Sequence, residues 1–204
     1  MMPEPTVFIV DDNQAVRRAV QALVESEGLA AEAFGSGQEF LDAYDPGRPG
    51  CLVLDVRLRG SSGLDVQDEL RRRKATLPII ILTAYGNVST SVRALKGGAV
   101  DFLQKPVLPE QLLKAVRTAI EMDRRARDVA VARAAVTKRM EELTPREREV
   151  MELLVQGKTS KEIGAALDLS VRTVEGHRGE VLRKMEVSSA AELVRKVLAV
   201  RSET

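Results

Sequence analysis

Two apolar runs in this chain end in carboxylates. Val7-Phe8-Ile9-Val10 runs into Asp11-Asp12, and Cys51-Leu52-Val53-Leu54 runs into Asp55. Short uninterrupted apolar runs of this kind are strands buried on both faces of a parallel sheet. Open α/β sheets place their chemistry at the carboxyl ends of such strands. Acids brought together there repel one another and stay ionised only beside a cation. Mg2+ is the simplest choice, a hard ion that takes one or two carboxylates and fills its other sites with water and phosphate oxygens. An Asp beside Mg2+ can attack phosphorus and form an aspartyl phosphate. The same residues are also good helix caps, so taken alone they leave a purely structural reading open.

Two later strand ends favour the chemical reading. Pro78-Ile79-Ile80-Ile81-Leu82 stops at Thr83, and Val100-Asp101-Phe102-Leu103 is followed by Lys105. A hydroxyl and an ammonium at the same sheet edge are the donors that the developing charge of a transferring phosphoryl group needs.

With these residues in place, Thr6 to about Ile120 resembles the receiver domain of two-component response regulators. The resemblance is carried by Asp11-Asp12, Asp55 with Gly63 eight positions on, Thr83-Ala84 and Lys105-Pro106. It implies a flavodoxin-like (βα)5 fold with Asp55 as phosphoacceptor. It also implies that Asp11, Asp12, Asp55 and the main-chain carbonyl of Arg57 hold Mg2+, and that Thr83 and Lys105 contact the phosphoryl oxygens. Phe102 would be the aromatic that turns inward on activation, with the loop from Thr83 to Asn87 as its partner in a two-state switch. The helix expected over Val88 to Leu95, the fifth strand and the fifth helix would form the signalling surface. One position departs from the family: Arg59 stands where relatives usually carry Pro, so the loop after Asp55 is expected to be more mobile or more accessible.

Composition bounds the alternatives. A length of 204 residues suggests one or two domains, and 44% hydrophobic with 30% charged residues is ordinary for a soluble protein. No apolar run approaches the roughly 20 residues needed to cross a bilayer. Met1-Met2-Pro3-Glu4-Pro5 lacks the regions of a signal peptide, so a cytoplasmic protein with no membrane partner is expected. Cys51 is the sole cysteine and is expected to be buried and inert. Residues 1 to 106 hold 12 basic and 14 acidic side chains, 107 to 142 hold 8 and 6, and 143 to 204 hold 11 and 10. No segment is basic enough to announce nucleic-acid binding by charge, so that claim must rest on a motif.

The elements that position the acids follow from punctuation and period. Ala15, Ala19, Leu23 and either Ala22 or Val24 form a helical stripe ended by Gly28. Leu29 to Phe34 reads as a strand. Ser36 with Glu39 predicts a capping box. Gly63 starts a helix that Arg71-Arg72-Arg73-Lys74 ends, where cations suit the helix dipole. From Pro109 to about Met140 no Pro or Gly intervenes, which predicts one long helix. Leu112, Val116, Ala119, Ile120 and Asp123 fit packing in its first half. Its second half carries too weak a stripe for a coiled coil and reads as a spacer.

The last third is helical. Thr144-Pro145-Arg146-Glu147 is a capping box with Pro at the first helical position. Gly157 ends that helix, Thr159 to Ile163 opens another, and Ser170 caps a third, from Val171 to about Met185. A fourth spans Ala190 to Val200. The middle pair makes a helix-turn-helix.

From Leu143 onward the chain resembles the LuxR-type DNA-binding domain, at Leu143-Thr144-Pro145-Arg146-Glu147, Gly157, Lys161-Glu162-Ile163, Thr173-Val174, His177 and Lys184-Met185. Spacing points Val174, Val181, Leu182 and Met185 inward and leaves Arg172, Thr173, Glu175, Gly176, Gly179 and Arg183 outward. Lys158, Ser160, Lys161, Arg172, Thr173, Arg178 and Lys184 are candidate phosphate contacts. Glu175 is a candidate acceptor for a cytosine amine, with Gly176 and Gly179 allowing close approach to the groove. His177 reads as a packed helical histidine, without the partners a metal ligand needs.

Together the two parts resemble a response regulator of the FixJ and NarL type, with a receiver over 5–121, a helical linker over 122–140 and a DNA-binding domain over 141–204. The implied partners are a sensor histidine kinase, promoter DNA, a second copy of the chain on phosphorylation and, as a candidate, RNA polymerase. An enzyme of the aspartyl-phosphate hydrolase kind would need a carboxylate two residues after Asp55, where Arg57 stands. A pure relay would need no helix-turn-helix. The reading that remains beside the leading one is a phosphorylation-independent DNA-binding regulator whose receiver serves as a docking module.

Overall fold

The computed structural model describes residues 4–84 and 88–201, so Tyr85, Gly86 and Asn87, the far end of the expected switch loop, lie outside the described residues. The chain divides into two compact units, Met1–Arg127 and Asp128–Thr204.

The first unit alternates strand and helix. In order these are β1 (Thr6–Val10), α1 (Gln14–Ser26), β2 (Ala30–Phe34), α2 (Gly37–Ala43), β3 (Gly50–Leu54), β4 (Arg57–Leu58), β5 (Ser61–Ser62), α3 (Gly63–Arg72), β6 (Ile79–Thr83), α4 (Val88–Lys96) and β7 (Asp101–Gln104). The helix α5 (Pro109–Glu141) follows and is 33 residues long. Five strands form one parallel sheet in the order β2-β1-β3-β6-β7. From β1 the chain steps outward to β2 and then returns to β3 on the other side. The crevice at the carboxyl ends of β1 and β3 is therefore the topological switch point, where such sheets bind ligands.

Pleating sends alternate residues of each strand into two cores. Phe8, Val10, Leu52, Leu54 and Ile81 pack with Phe40 of α2, Leu64 and Leu70 of α3 and Ala94 of α4. Val7, Ile9, Val53, Ile80 and Leu82 pack with Val20 and Val24 of α1 and Leu112, Val116 and Ala119 of α5. Cys51 lies in this second core, fully buried, and burial pushes its thiol up to about 12.

Several expectations are corrected. Helix α1 buries Val20 and Val24, with Val16 and Leu23 partly covered, and leaves Ala15 and Ala19 exposed. The bulkier valines bury more apolar area and set the helix's rotation. Ser36 does cap α2, but Glu39 accepts from Gly35 N rather than closing a box on Ser36. Within the first unit a box does close at α3, between Ser62 and Asp65. The loop after Asp55 is a short antiparallel pair, β4 with β5, too brief for any periodicity to announce.

Asp123 on α5 is buried for a polar reason. Its Oδ2 accepts from Gly50 N at 2.9 Å and from Arg127 Nε at 2.8 Å, while Oδ1 has no partner among the described residues. The Arg127 guanidinium also donates to the carbonyls of Pro46, Gly47 and Arg48. A Cβ on Gly50 would sit 1.8 Å from the Thr6 carbonyl oxygen, so only glycine lets this strand start close enough to meet the carboxylate.

The second unit holds α6 (Pro145–Val155), α7 (Ser160–Leu167), α8 (Val171–Lys184) and α9 (Ala190–Arg201). Its core gathers Val150, Met151, Leu154, Ile163, Val174, Val181, Met185, Leu193 and Val197. Val136 and Met140 of α5, read from sequence as part of a spacer, pack into this core, and Arg133 donates to Val200 O at 3.1 Å. Asp168 takes φ 54° between α7 and α8, turning the chain sharply.

Replacing Asp123 with Ala leaves the Gly50 amide without its acceptor and the Arg127 guanidinium with its three backbone carbonyls but no counter-charge. The first unit is expected to lose about 1–3 kcal/mol, the cost of leaving a buried donor unsatisfied. Urea unfolding followed by far-UV circular dichroism measures this as an earlier transition for that unit alone.

Candidate functional site

The register of β1 against β3 pairs Val10 with Leu54, so the residues that follow, Asp11 and Asp55, emerge side by side. Asp55 N donates to Val10 O at 2.9 Å and fixes that alignment. Neither acid caps a helix: Asn13 caps α1 and Ser62 caps α3. The structural reading of these acids as caps is thereby set aside. Each carboxylate instead gives one oxygen to the local backbone, Asp11 Oδ1 to Asn13 N at 2.8 Å and Asp55 Oδ1 to Arg57 N at 3.2 Å.

Their other oxygens converge on one ammonium. Lys105 Nζ lies 2.5 Å from Asp11 Oδ2 and 2.8 Å from Asp55 Oδ2. It is delivered from β7, whose register with β6 sets Gln104 beside Thr83, and Lys105 N donates to Thr83 O at 2.8 Å. The Lys105–Pro106 peptide is cis. Burial alone would lower the Lys105 pKa, but hydrogen bonds to both carboxylates and their charges raise it above the ordinary lysine value. The ammonium therefore stays charged well past neutrality.

The remaining predicted residues take distinct places. Thr83 is fully buried at the end of β6, and Phe102 of β7 is partly buried against the first core. Asp12 stands at the rim, 3.7 Å from the exposed Arg59 guanidinium, which the β4–β5 turn carries. Arg17, which the sequence reading passed over, donates to Asp11 O at 2.6 Å from one turn into α1. Its only signal was a cation one helical turn after the cap. Gly63 is needed by contact rather than by conformation: a Cβ there would lie 2.0 Å from the Asp55 carbonyl oxygen.

The expected cluster of three carboxylates is thus two carboxylates and an ammonium, with a third acid at the rim. Among the described residues no three acidic, cysteine or histidine side chains group as they stand to hold a metal. The donor chemistry nonetheless fits a hard divalent ion. Asp11 and Asp55 present two negative charges to the single charge of Lys105, and Asp12 adds another, balanced only by an exposed arginine.

In the second unit, α7 and α8 form the helix-turn-helix. Lys158, Lys161, Arg172, Thr173, Glu175, Gly176 and Gly179 are exposed, and Ser160 and Arg178 are half-buried. Thr173 shares a hydrogen bond with Ser170, whose hydroxyl caps α8. Glu175 is already engaged: its Oε1 accepts a short hydrogen bond from Ser160 Oγ and lies 3.7 Å from Arg178 Nη1. Lys184 is engaged too, donating at 2.7 Å to the buried Glu147 that closes the α6 capping box. The Lys184 hydrogen bond, reinforced by the Thr144 amide, holds the Glu147 carboxyl below the usual carboxylate range.

Comparison with known proteins agrees with both halves. Residues 7–117 match the family described as response regulator receiver domain, and residues 141–197 match bacterial regulatory proteins of the luxR family. The chain is 46% identical over 189 residues to nodulation protein W of Bradyrhizobium diazoefficiens, covering 93% of this chain and 83% of that one. It is 42% identical over 198 residues to the transcriptional regulatory protein FixJ of Azorhizobium caulinodans, covering 97% and 94%. Among solved structures, the response regulator StyR aligns with a TM-score of 0.86 at 35% identity, over 96% of this chain and 99% of that one.

Because Glu147 ionises more readily when folded, the stability it contributes is complete above its ordinary value of 4.5 and is lost as the pH falls below it. Glu147→Gln is expected to weaken the second unit by about 1–3 kcal/mol at neutral pH. It should also flatten the acid limb of that unit's stability curve below pH 4.5. Urea unfolding at a series of pH values measures both.

Proposed function

Because the chain belongs to the response regulators that join a receiver to a LuxR-type DNA-binding domain, we propose that it controls transcription through phosphorylation of Asp55 by a partner sensor histidine kinase. The observation that carries this reading is the Lys105 ammonium shared between Asp11 and Asp55 at the sheet's switch point.

Asp55 Oδ attacks phosphorus, the bond from phosphorus to the donor nitrogen breaks, and the leaving imidazole keeps the electron pair. The pocket then holds an acyl phosphate where a carboxylate stood, with more negative charge. Lys105, already charged and already between the two acids, is placed to bind it, and buried Thr83 at the neighbouring strand end supplies a hydroxyl. Mg2+ would be held by Asp11, Asp12, Asp55 and the Arg57 carbonyl, and would screen the charge between Asp55 and the incoming phosphoryl group. Phe102 is the element we take to follow Thr83.

The output we assign is dimerisation and sequence-specific binding to promoter DNA, in the cytoplasm, with contact to RNA polymerase. Exposed Val88, Val92 and Leu95 on α4 suit the role of a face that gains a partner, the second copy. No helix among the described residues is long and apolar enough to cross a membrane.

With acetyl phosphate and magnesium present, affinity for a duplex selected by the protein is expected to rise roughly tenfold, within the usual range of allosteric coupling. Fluorescence anisotropy measures it, and an affinity indifferent to both additions would favour a receiver that only docks partners. Asp55→Asn should incorporate no radiolabelled phosphate, and a labelled variant would remove Asp55 from its role. Gly63→Ala, by pushing against the Asp55 carbonyl, should slow incorporation about a hundredfold, as misplacement of a reacting group by an ångström does.

A further inference from the structure

The outward face of α8 is unusual for what it lacks and for what it ties up. A Cβ on Gly176 or Gly179 would meet nothing within 4 Å, so at those two positions the helix shows bare backbone. Between them and α7 stands a small polar network. Ser160 Oγ donates to Glu175 Oε1, and Arg178 Nη1 lies 3.4 Å from Ser160 Oγ and 3.7 Å from Glu175 Oε1. A carboxylate on a surface meant for a polyanion repels it, and this one is 53% exposed. A free surface acid would gain nothing there. One that restrains a neighbouring cation has a use.

We propose that Glu175 is a positioning residue rather than a reader of bases: with Ser160 it holds Arg178 against the α7 side of the face, so that Arg178 does not grip any phosphate it meets. The inference rests on the reading of this unit as a DNA-binding domain. Non-specific binding is almost wholly a matter of cations reaching phosphates. An arginine held by its own acid joins that contact only when a well-fitted duplex offers more than the acid does. The effect is one of discrimination: the acid weakens every complex, and weakens the ill-fitted ones most. Bare Gly176 and Gly179 leave the network few side chains with which to share this task.

The test uses the full-length chain with two probes, a random-sequence duplex and duplexes that the wild type itself selects from a randomised pool. Affinities are measured between 50 and 200 mM salt for the wild type, Glu175→Gln and Glu175→Gln with Arg178→Ala. Glu175→Gln is expected to bind the random duplex about three- to tenfold tighter, with a salt slope steeper by about 0.9, the value for one more phosphate contact. Its ratio of selected to random affinity should fall by a similar factor. The double variant should lose the added slope, because Arg178 is its source. Unchanged random-duplex affinity and slope in Glu175→Gln would overturn the proposal. So would a loss confined to one base pair of the selected duplex, which would make Glu175 a reader, or a steeper slope that survives without Arg178. A wild type that selects no duplex would overturn the DNA-binding reading itself, and this inference with it.

Discussion

One ammonium between two carboxylates organises the first unit. Lys105 could have been left in solvent, and Asp11 and Asp55 could each have turned away. Burying a charge is costly unless it is paired and hydrogen-bonded, so the three groups persist together only because each answers the others. That requirement fixes much of the architecture. β1 and β3 must be neighbours in register, β7 must reach the same edge, and α3 must start close enough to Asp55 that only glycine fits at its first turn. The same balance leaves the pocket one positive charge short. A site that is nearly but not fully neutralised suits a further cation.

Much of this was legible in the sequence, for a physical reason. Short apolar runs that end abruptly in Asp, Thr or a Lys-bearing turn have few interpretations, and the strand ends they predicted are the ones that line the crevice. The helix-turn-helix was legible in the same way, from caps and glycine stops whose effects are local. Where the reading slipped, a competition was close. In α1, alanines and valines offered stripes one residue apart, and only burial volume decides between them. β4 and β5 hold two residues each, a single period of the strand pattern and too little to show alternation.

The contacts that no local pattern could reveal are those that join distant residues. Asp123 meets Gly50 across 73 positions, and Ser160 meets Glu175 across 15. Both Asp123 and Glu175 look ordinary in sequence, one a polar interruption in a helical stripe and the other a charge on an open face. Their roles come from what the fold brings to them. Acids of the same chemical type thus stand beside an ammonium at a strand end, against a backbone amide in the core and beside a hydroxyl on an open helix face within one chain, and environment alone tells them apart.

The sole thiol of the protein lies within the strand that leads to Asp55, and it is sealed in the core with its pKa pushed to about 12. At physiological pH such a group is not the thiolate that peroxides, disulfides or electrophiles require. Burial and a raised pKa therefore both shield the thiol of this strand so long as the sheet is folded. Alkylation of Cys51 thereby becomes a clock for how often the centre of the sheet comes open.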